Sequence, residues 1–450
     1  GQARPRARPA AMEAAGGAPA SPGCFLFASE AACEGHPDKL ADQVSDAVVD
    51  ACMEQDPDSR VTCETITKTG MVMIIGMVTT KAEVDYDTLV RDTVKRIGYD
   101  GADKGLDYRT MEVVNKLLVK RPDEPDASGA SADPAETAAA GADNQGVAVG
   151  YATDETPEFV PLTHLLATRI CMRLGEVRKS GLCPWMRPDG KVLVVAEYRK
   201  LGSGAVVPER LHSVLLSVQH SPAAALELVR EDVMRKVVEP VLPAELLHEG
   251  TSIGVNTAGR FAIGGPHGDA GLTGRQAAAD AYGGWGGHGA GALSGRDPLQ
   301  IERSAAYAAR HAAKSLVAAG LAARCTVQLT YAVGSLEPVA LSVDSHGSAS
   351  FGLSEGDLSD ILARNFRFSP AAIVSDLKLR TTRFQSVATH GQFGRRGAEP
   401  EWEKCKDLSD ELVRARQRAG SGAAEREESQ GAAAMAPTLT AALTATALLP

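Results

Sequence analysis

Gly264-Gly265-Pro266-His267-Gly268-Asp269-Ala270-Gly271-Leu272-Thr273-Gly274-Arg275 is followed closely by Gly283-Gly284-Trp285-Gly286-Gly287-His288-Gly289. Runs so rich in glycine bring little apolar side chain, which predicts ligand-facing loops and not packed core elements. Glycine takes positive φ readily and lets a backbone approach a ligand closely. An Asp and an Arg carried on such a loop can hold a metal ion and a phosphate. Far upstream, Glu34-Gly35-His36-Pro37-Asp38-Lys39 repeats the theme at an expected helix start. Two separated polar loops of this kind point to one polyanionic ligand gripped from two sides.

Composition sets the outer limits. With 450 residues the chain can form roughly two to four compact units. Hydrophobic residues at 44% and charged residues at 23% are ordinary for a soluble globular protein. The net charge of −10 argues against a generic binder of nucleic acid or of an anionic membrane. Any phosphate site must then be a local concentration of cations. Eight cysteines without a Cys-x-x-Cys pair suit a reducing compartment, so a cytoplasmic protein is expected. No apolar run is long enough to span a bilayer, and the apolar Ala434–Pro450 contains Thr and Pro. The segment Gly1 to Pro19 carries Arg4, Arg6 and Arg8 with nothing acidic before Glu13. It fits a transit peptide or an unstructured tail; the second is the simpler reading.

Residues 1–23 read as a disordered N-terminal extension, 123–143 as a low-complexity loop, and 401–450 as a disordered tail. Three units are expected between them, at 24–122, 144–261 and 262–400. Leu40, Val44, Ala47, Val48 and Ala51 follow helical spacing behind Pro37, which suits a first helical turn, as Asp38 suits the positive helix end. Strands are expected at Met71–Gly76, Val192–Tyr198, Thr326–Val333 and Pro338–Asp344. Helices are expected at Leu89–Ile97, Leu162–Gly175, Ala223–Val241, Glu302–Ala319 and Leu358–Phe366. Helices and strands mix without a clean βαβ alternation, which predicts an α+β fold.

His36 and Asp38 would sit at the mouth of a helix, where free N–H groups and the dipole favour anions. Asp38 could also ligate a Mg²⁺ that bridges phosphates. Alone, the segment reads equally as an ordinary capped helix with a surface histidine. Asp189-Gly190-Lys191 reads as a hairpin turn, and its Asp and Lys become ligand candidates only beside a phosphate site. Glu64 lies in a Thr-rich strand, as a half-exposed carboxylate or a cation ligand. Generic motifs are silent: no Gly-Lys-Ser/Thr follows the glycine-rich loop, and no strand leads into Gly289–Gly295. The remaining histidines show no metal-ligand spacing.

Taken together, Glu34–Lys39, Cys63–Met71, Gly150–Thr156, Cys183–Lys191, Gly264–Arg275 and Ser304–Arg310 resemble the S-adenosylmethionine synthases, most closely the plant-type enzymes. The similarity runs in order from about Phe25 to about Gly394. It implies three similar α/β domains around a pseudo-threefold axis, mixed sheets packed by helices, and a homodimer or tetramer with active sites at the subunit interface. It implies the substrates ATP and L-methionine, two Mg²⁺ per site, and K⁺. In that reaction the methionine sulfur attacks C5′ of ATP and displaces the triphosphate, which is hydrolysed to phosphate and diphosphate.

By position the resemblance makes His36, Lys191 and Arg275 catalytic. Asp189, Gly190, Arg260, Phe261, Ala292 and Arg296 would join them in binding ATP, with Phe261 stacking on adenine. Asp269 would serve ATP and methionine, Glu30 and Asp38 the magnesium, and Glu64 the potassium. Departures from the family pattern cluster toward the methionine end. Met77 stands for a Glu, Gln276, Arg296 and Gln300 each for a Lys, Glu302 for an Asp, and Asn144 for an Asp. No Gln-Ser-Pro-Asp gating loop is recognisable between Met111 and Asn144. These departures leave two expectations: an active synthase, or an impaired paralogue that regulates an active one.

Overall fold

The computed structural model describes residues 21–122, 141–289, 291–395 and 400–420. Most of the expected N-terminal extension, most of the 123–143 loop and the 421–450 part of the tail lie outside the described residues.

Alternating patterns in the sequence become sheets with one covered and one open face. The elements used below are β1 (Cys24–Ala32), α1 (Pro37–Gln55), β2 (Arg60–Lys68), β3 (Met71–Thr79), α2 (Tyr86–Ile97), β4 (Glu112–Lys120), β5 (Gly146–Thr153), α3 (Leu162–Lys179), β6 (Met186–Lys200), β7 (Val206–His220), α4 (Leu226–Val233), β8 (Ser252–Val255), β9 (Gly271–Leu272), α5 (Ile301–Ala318), β10 (Arg324–Tyr331), β11 (Ala340–Asp344), α6 (Glu355–Asn365) and α7 (Pro370–Asp376). Three larger sheets form, in the orders β9-β2-β3-β4, β1-β6-β7-β8 and β11-β10-β5, beside a small pair of Asp100–Gly101 with Leu106–Asp107. The first two mix parallel and antiparallel pairs. In β3, Val72, Ile74 and Val78 are buried, while Met71, Met73, Ile75 and Met77 line the other face. The same alternation in β6 buries Val192, Val194 and Ala196, and in β10 it buries Cys325, Val327 and Leu329. Helices α1, α3 and α5 pack against these sheets. The fold is the α+β, three-domain arrangement expected.

Each sheet borrows a strand from another third of the chain. β1 pairs with β6 in the central sheet, β5 with β10 in the C-terminal sheet, and β9 with β2 in the N-terminal sheet. The exchange is cyclic, so the three domains cannot be separated at the boundaries that composition suggests.

Helix α1 ties these units together. Asp38, Asp42, Asp46 and Asp50 recur every four residues and therefore share one side of the helix. All four are buried, and each holds a segment from far downstream. Asp38 accepts from the Leu272 N–H (3.1 Å) and Asp42 from the Gly274 N–H (2.8 Å). Asp46 accepts from the Gly295 N–H (2.8 Å), and both its oxygens accept from Arg303 Nη2 (2.7 and 2.8 Å). Asp50 accepts from the Phe384 and Gln385 N–H groups at 2.8 and 3.0 Å.

Three local expectations are corrected. Asp189-Gly190-Lys191 lies inside β6, not in a hairpin turn; Gly190 and Lys191 pair with Val218 and Ser217. The single helix expected over 223–241 contains a wider π-type turn, Met234–Val238. The disordered tail expected from Glu401 is ordered as far as Gly420, with a helix over 409–420. Trp402 is buried and stacks on Tyr307 at 3.8 Å between ring centres. Glu403, also buried, pairs with Arg310 (3.0 Å) and Lys314 (2.8 Å) on α5. A local window sees only a charged stretch here, because its partners lie about ninety residues upstream. Breaking one member of a buried ion cluster costs about 3–5 kcal/mol. Glu403→Gln should therefore lower unfolding free energy by about that amount in urea titration; a loss under about 1 kcal/mol would refute this account.

Asp50 gives the fold a pH signature. Burial, then the neighbouring Asp46, pushes its carboxyl up to about 7 against the two backbone donors. An unfolded Asp titrates near about 4. The folded state thus holds the proton more tightly, so this contribution is fully present below about pH 4 and is lost as pH rises through 7. Asp50→Asn removes the titration. Relative to the variant, the parent should lose about 1.4 kcal/mol per pH unit between roughly pH 4 and 7. Parallel urea titrations of both proteins at several pH values check this; a constant difference would contradict it.

Candidate active site

The upstream turn and the glycine-rich loop meet at one carboxylate. At the start of α1, His36 Nδ1 accepts from the Asp38 N–H (3.2 Å), which caps the helix ahead of Pro37. Asp38 Oδ1 lies 3.6 Å from Arg275 Nη1, and its Oδ2 lies 3.8 Å from His36 Nδ1. Gln276 Nε2 donates to the same Oδ2 at 2.7 Å. The two separated loops read from the sequence therefore close on each other within one chain.

Strand β6 forms the adjoining wall. The Cys33 N–H donates to the Gly190 carbonyl (2.9 Å), and the His36 N–H donates to the Cys33 carbonyl (3.0 Å). Lys191 Nζ reaches Glu30 Oε2 at 2.9 Å across the β1–β6 pair. Asp189 Oδ2 accepts from the Gly265 N–H at 2.8 Å, which anchors the start of the glycine-rich loop. Burial lowers the His36 pKa below the usual imidazole value against the pull of Asp189 and Asp38. Burial raises Asp189, with His36 opposing. Phe261 packs beside Gly264, and its N–H donates to His220 Nε2 (3.0 Å). Arg260 donates to the Ala224 carbonyl (3.1 Å) at the edge of this region, and Asp269 is exposed. Ala292 lies directly against Gly274.

Glu64 and Arg296 belong to a second group. Arg296 Nη2 donates to Glu64 Oε1 at 2.8 Å, and Thr62 bridges both Arg296 and, in the β2–β3 ladder, Met77. Asn144 Nδ2 donates to Glu302 Oε1 at 2.8 Å, so two of the departures contact each other. Gln300 is buried and donates to the Val61 carbonyl (2.7 Å) and to Asp297 (3.0 Å). Among the described residues, no hydrogen bond or ion pair joins this group to the His36–Arg275 group.

Sequence reading missed the layer beneath the loops. Lys39 is buried and bridges Asp42 (2.9 Å) and Asp280. Despite burial, Asp280 and Asp42 together hold its ammonium above the usual lysine range. Burial pushes Asp42 up to about 7 against Lys39. The signal was present as four aspartates spaced by four, but such spacing ordinarily marks a solvated helix face.

The glycine-rich loop is also corrected: part of it is packed, through backbone instead of side chains. Gly271 pairs with Thr67, and a Cβ there would come within 2.1 Å of the Pro37 carbonyl oxygen. Gly274 has φ +80° and presents its N–H to Asp42. Arg275 is thus aimed by a backbone that can lie flat on α1.

Family models match the chain in three consecutive blocks: the N-terminal domain of S-adenosylmethionine synthetase over residues 24–122, the central domain over 139–261, and the C-terminal domain over 263–404. The chain belongs to the S-adenosylmethionine synthetase family. This is a family of methionine adenosyltransferases, which take ATP and methionine as substrates. None of the described helices is long and apolar enough to cross a membrane.

Hard oxygen donors suit Mg²⁺, which commonly uses one or two carboxylates and leaves other positions to water and substrate phosphates. Glu30 and Asp38 fit that pattern. Among the described residues no group of three or more His, Cys, Asp or Glu forms a complete protein cage. Glu64 and Glu30 each already face a cation, Arg296 at 2.8 Å and Lys191 at 2.9 Å.

Gly271→Ala tests the backbone contact. The added methyl must push β9 away from α1, and overpacking of this kind costs about 1–3 kcal/mol. The expected outcome is that loss in urea titration together with weakened binding of an ATP analogue; unchanged stability and binding would refute it.

Proposed function

We propose that this chain is an S-adenosylmethionine synthase, forming S-adenosyl-L-methionine from ATP and L-methionine with release of phosphate and diphosphate. The observation that carries this reading is the meeting of His36, Asp38 and Arg275 beside Lys191 in one chain. A thioether sulfur is already nucleophilic and needs no strong base. Catalysis then rests on aligning sulfur with C5′ and on stabilising charge that develops on the departing triphosphate. Lys191 and Arg275 would donate to phosphate oxygens, with His36 donating or accepting as a largely neutral imidazole. Phe261 offers a ring for adenine beside Asp189, and exposed Asp269 is the candidate for the methionine ammonium. Glu30 and Asp38 would hold Mg²⁺, which when bound offsets triphosphate charge.

The open sheet faces favour a homodimer. Met77 is 61% exposed and Leu118 53% exposed on the N-terminal sheet, an apolar area that a second copy would cover. In such a dimer the Glu64–Arg296 group would complete the site of the partner. All eight cysteines are free thiols, in keeping with a cytoplasmic protein.

A specific observation favours the second reading, an impaired paralogue that regulates an active synthase. Gln276 occupies Asp38, and Gln300 is turned inward onto the Val61 carbonyl. Incubation with ATP, L-methionine, Mg²⁺ and K⁺ should yield S-adenosylmethionine, with Lys191→Met lowering kcat by about 100-fold. Gln276→Lys with Met77→Glu should improve activity at low methionine by about tenfold or more, the worth of one charged hydrogen bond. Absence of product at high methionine from both parent and revertant would exclude the synthase reading. Sedimentation of the parent checks the dimer.

A further inference from the structure

A cavity of about 440 Å³ opens in the C-terminal unit and shares no residue with the candidate active site. That volume lies within the usual range for small-molecule pockets, which are mostly apolar with a few placed polar groups. Its floor is aromatic: Phe366 and Phe368 stack at 5.9 Å, and the His311 ring meets the edge of Phe366 at 5.3 Å. Ile373 and Leu377 of the α7 region supply an apolar wall.

The charges around this floor are unevenly matched. Arg367 pairs with Asp376, and Lys404 pairs with Glu401 at 2.7 Å. Lys406 sits 5.0 Å over the Phe366 ring and donates to the Asn365 carbonyl. Among the described residues no carboxylate lies within ion-pair distance of it, so the rim carries one unmatched positive charge. His311 adds a second unmet need, since its Nδ1 is buried without a hydrogen-bond partner. Buried polar atoms are nearly always satisfied, by protein, water or ligand. Burial also lowers the His311 pKa, with the backbone carbonyls of Lys404 and Trp402 opposing; the ring proton faces those carbonyls, which leaves Nδ1 to accept.

We propose that this cavity binds a planar aromatic anion that also carries an N–H or O–H group. The ring lies along the Phe366–Ile373 surface, the anionic group meets Lys406, and the N–H or O–H donates to His311 Nδ1.

The test is a fluorescence titration of the full chain with 8-anilinonaphthalene-1-sulfonate, which has all three features. Its neutral counterpart N-phenyl-1-naphthylamine keeps the rings and the N–H but lacks the sulfonate. Saturable one-site binding of the sulfonate is expected, weakened about tenfold by Lys406→Ala and by His311→Leu. The neutral compound should bind more weakly and be indifferent to Lys406→Ala. Lys406→Gln serves as a second variant should the alanine form melt early. No saturable binding by the parent, or an unchanged Kd for the sulfonate in either the Lys406 or the His311 variant, overturns the assignment. Equal affinity for the neutral compound overturns it as well.

Discussion

Four buried carboxylates on one helix are the constraint on which this structure depends. A charge taken out of water must be paired or hydrogen-bonded, or its burial is prohibitive. Helix α1 buries Asp38, Asp42, Asp46 and Asp50 along one side, and nearly all their donors come from the last 180 residues. The C-terminal loops are therefore not free to sit elsewhere. Laying Leu272–Gln276 across the start of α1 satisfies Asp38 and Asp42, and the same act brings Arg275 to His36. Lys39 and Arg303 offset part of the negative charge. Asp42 and Asp50 remain raised because their donors do not fully replace water.

The cyclic strand exchange works with this clamp. β9 extends the N-terminal sheet only because Gly271 can touch the Pro37 carbonyl, and β1 carries the chain from the central sheet into the turn that ends at His36. Candidate-site residues thus come from the rims where one unit lends a strand to the next. Asp189 and Lys191 stand on the strand that β1 pairs with, and Arg275 follows the strand that β2 pairs with. Local unfolding of one unit would remove a wall of the site in another.

Much of this was legible in the sequence wherever the signal was local. The helix behind Pro37, the alternation in β3, β6 and β10, and the pairing of two glycine-bearing loops follow from residue spacing. What escaped were features whose partners lie far along the chain. Glu403 read as tail because nothing nearby reveals Arg310 and Lys314. Asp42, Asp46 and Asp50 of α1 drew no reading, because most of their donors are backbone N–H groups, which have no signature in sequence. Asp189-Gly190-Lys191 read as a turn because the residues favour one, yet β1 and β7 flank it on both sides and hold it extended. The glycine-rich loop read as ligand-facing and unpacked because small residues carry little apolar surface, whereas part of their value here is close backbone contact.

The departures from the family pattern are easier to weigh in space than along the chain. Glu302 is one methylene longer than the aspartate that the resemblance implies there, and its carboxylate accepts from Asn144, where the resemblance also implies an aspartate. A carboxylate facing a carboxylate would repel; a carboxylate facing an amide does not. These two changes read as one compensated change. Gln300 likewise spends its amide on Val61 and Asp297, so a lysine there must find new room for its charge. Gln276 differs, because it contacts Asp38 directly and is the departure placed to alter the candidate metal ligand. An amide donating to that carboxylate competes for one of its oxygens without adding positive charge. The physical weight thus falls on Gln276, which meets Asp38, while Asn144 and Glu302 meet each other.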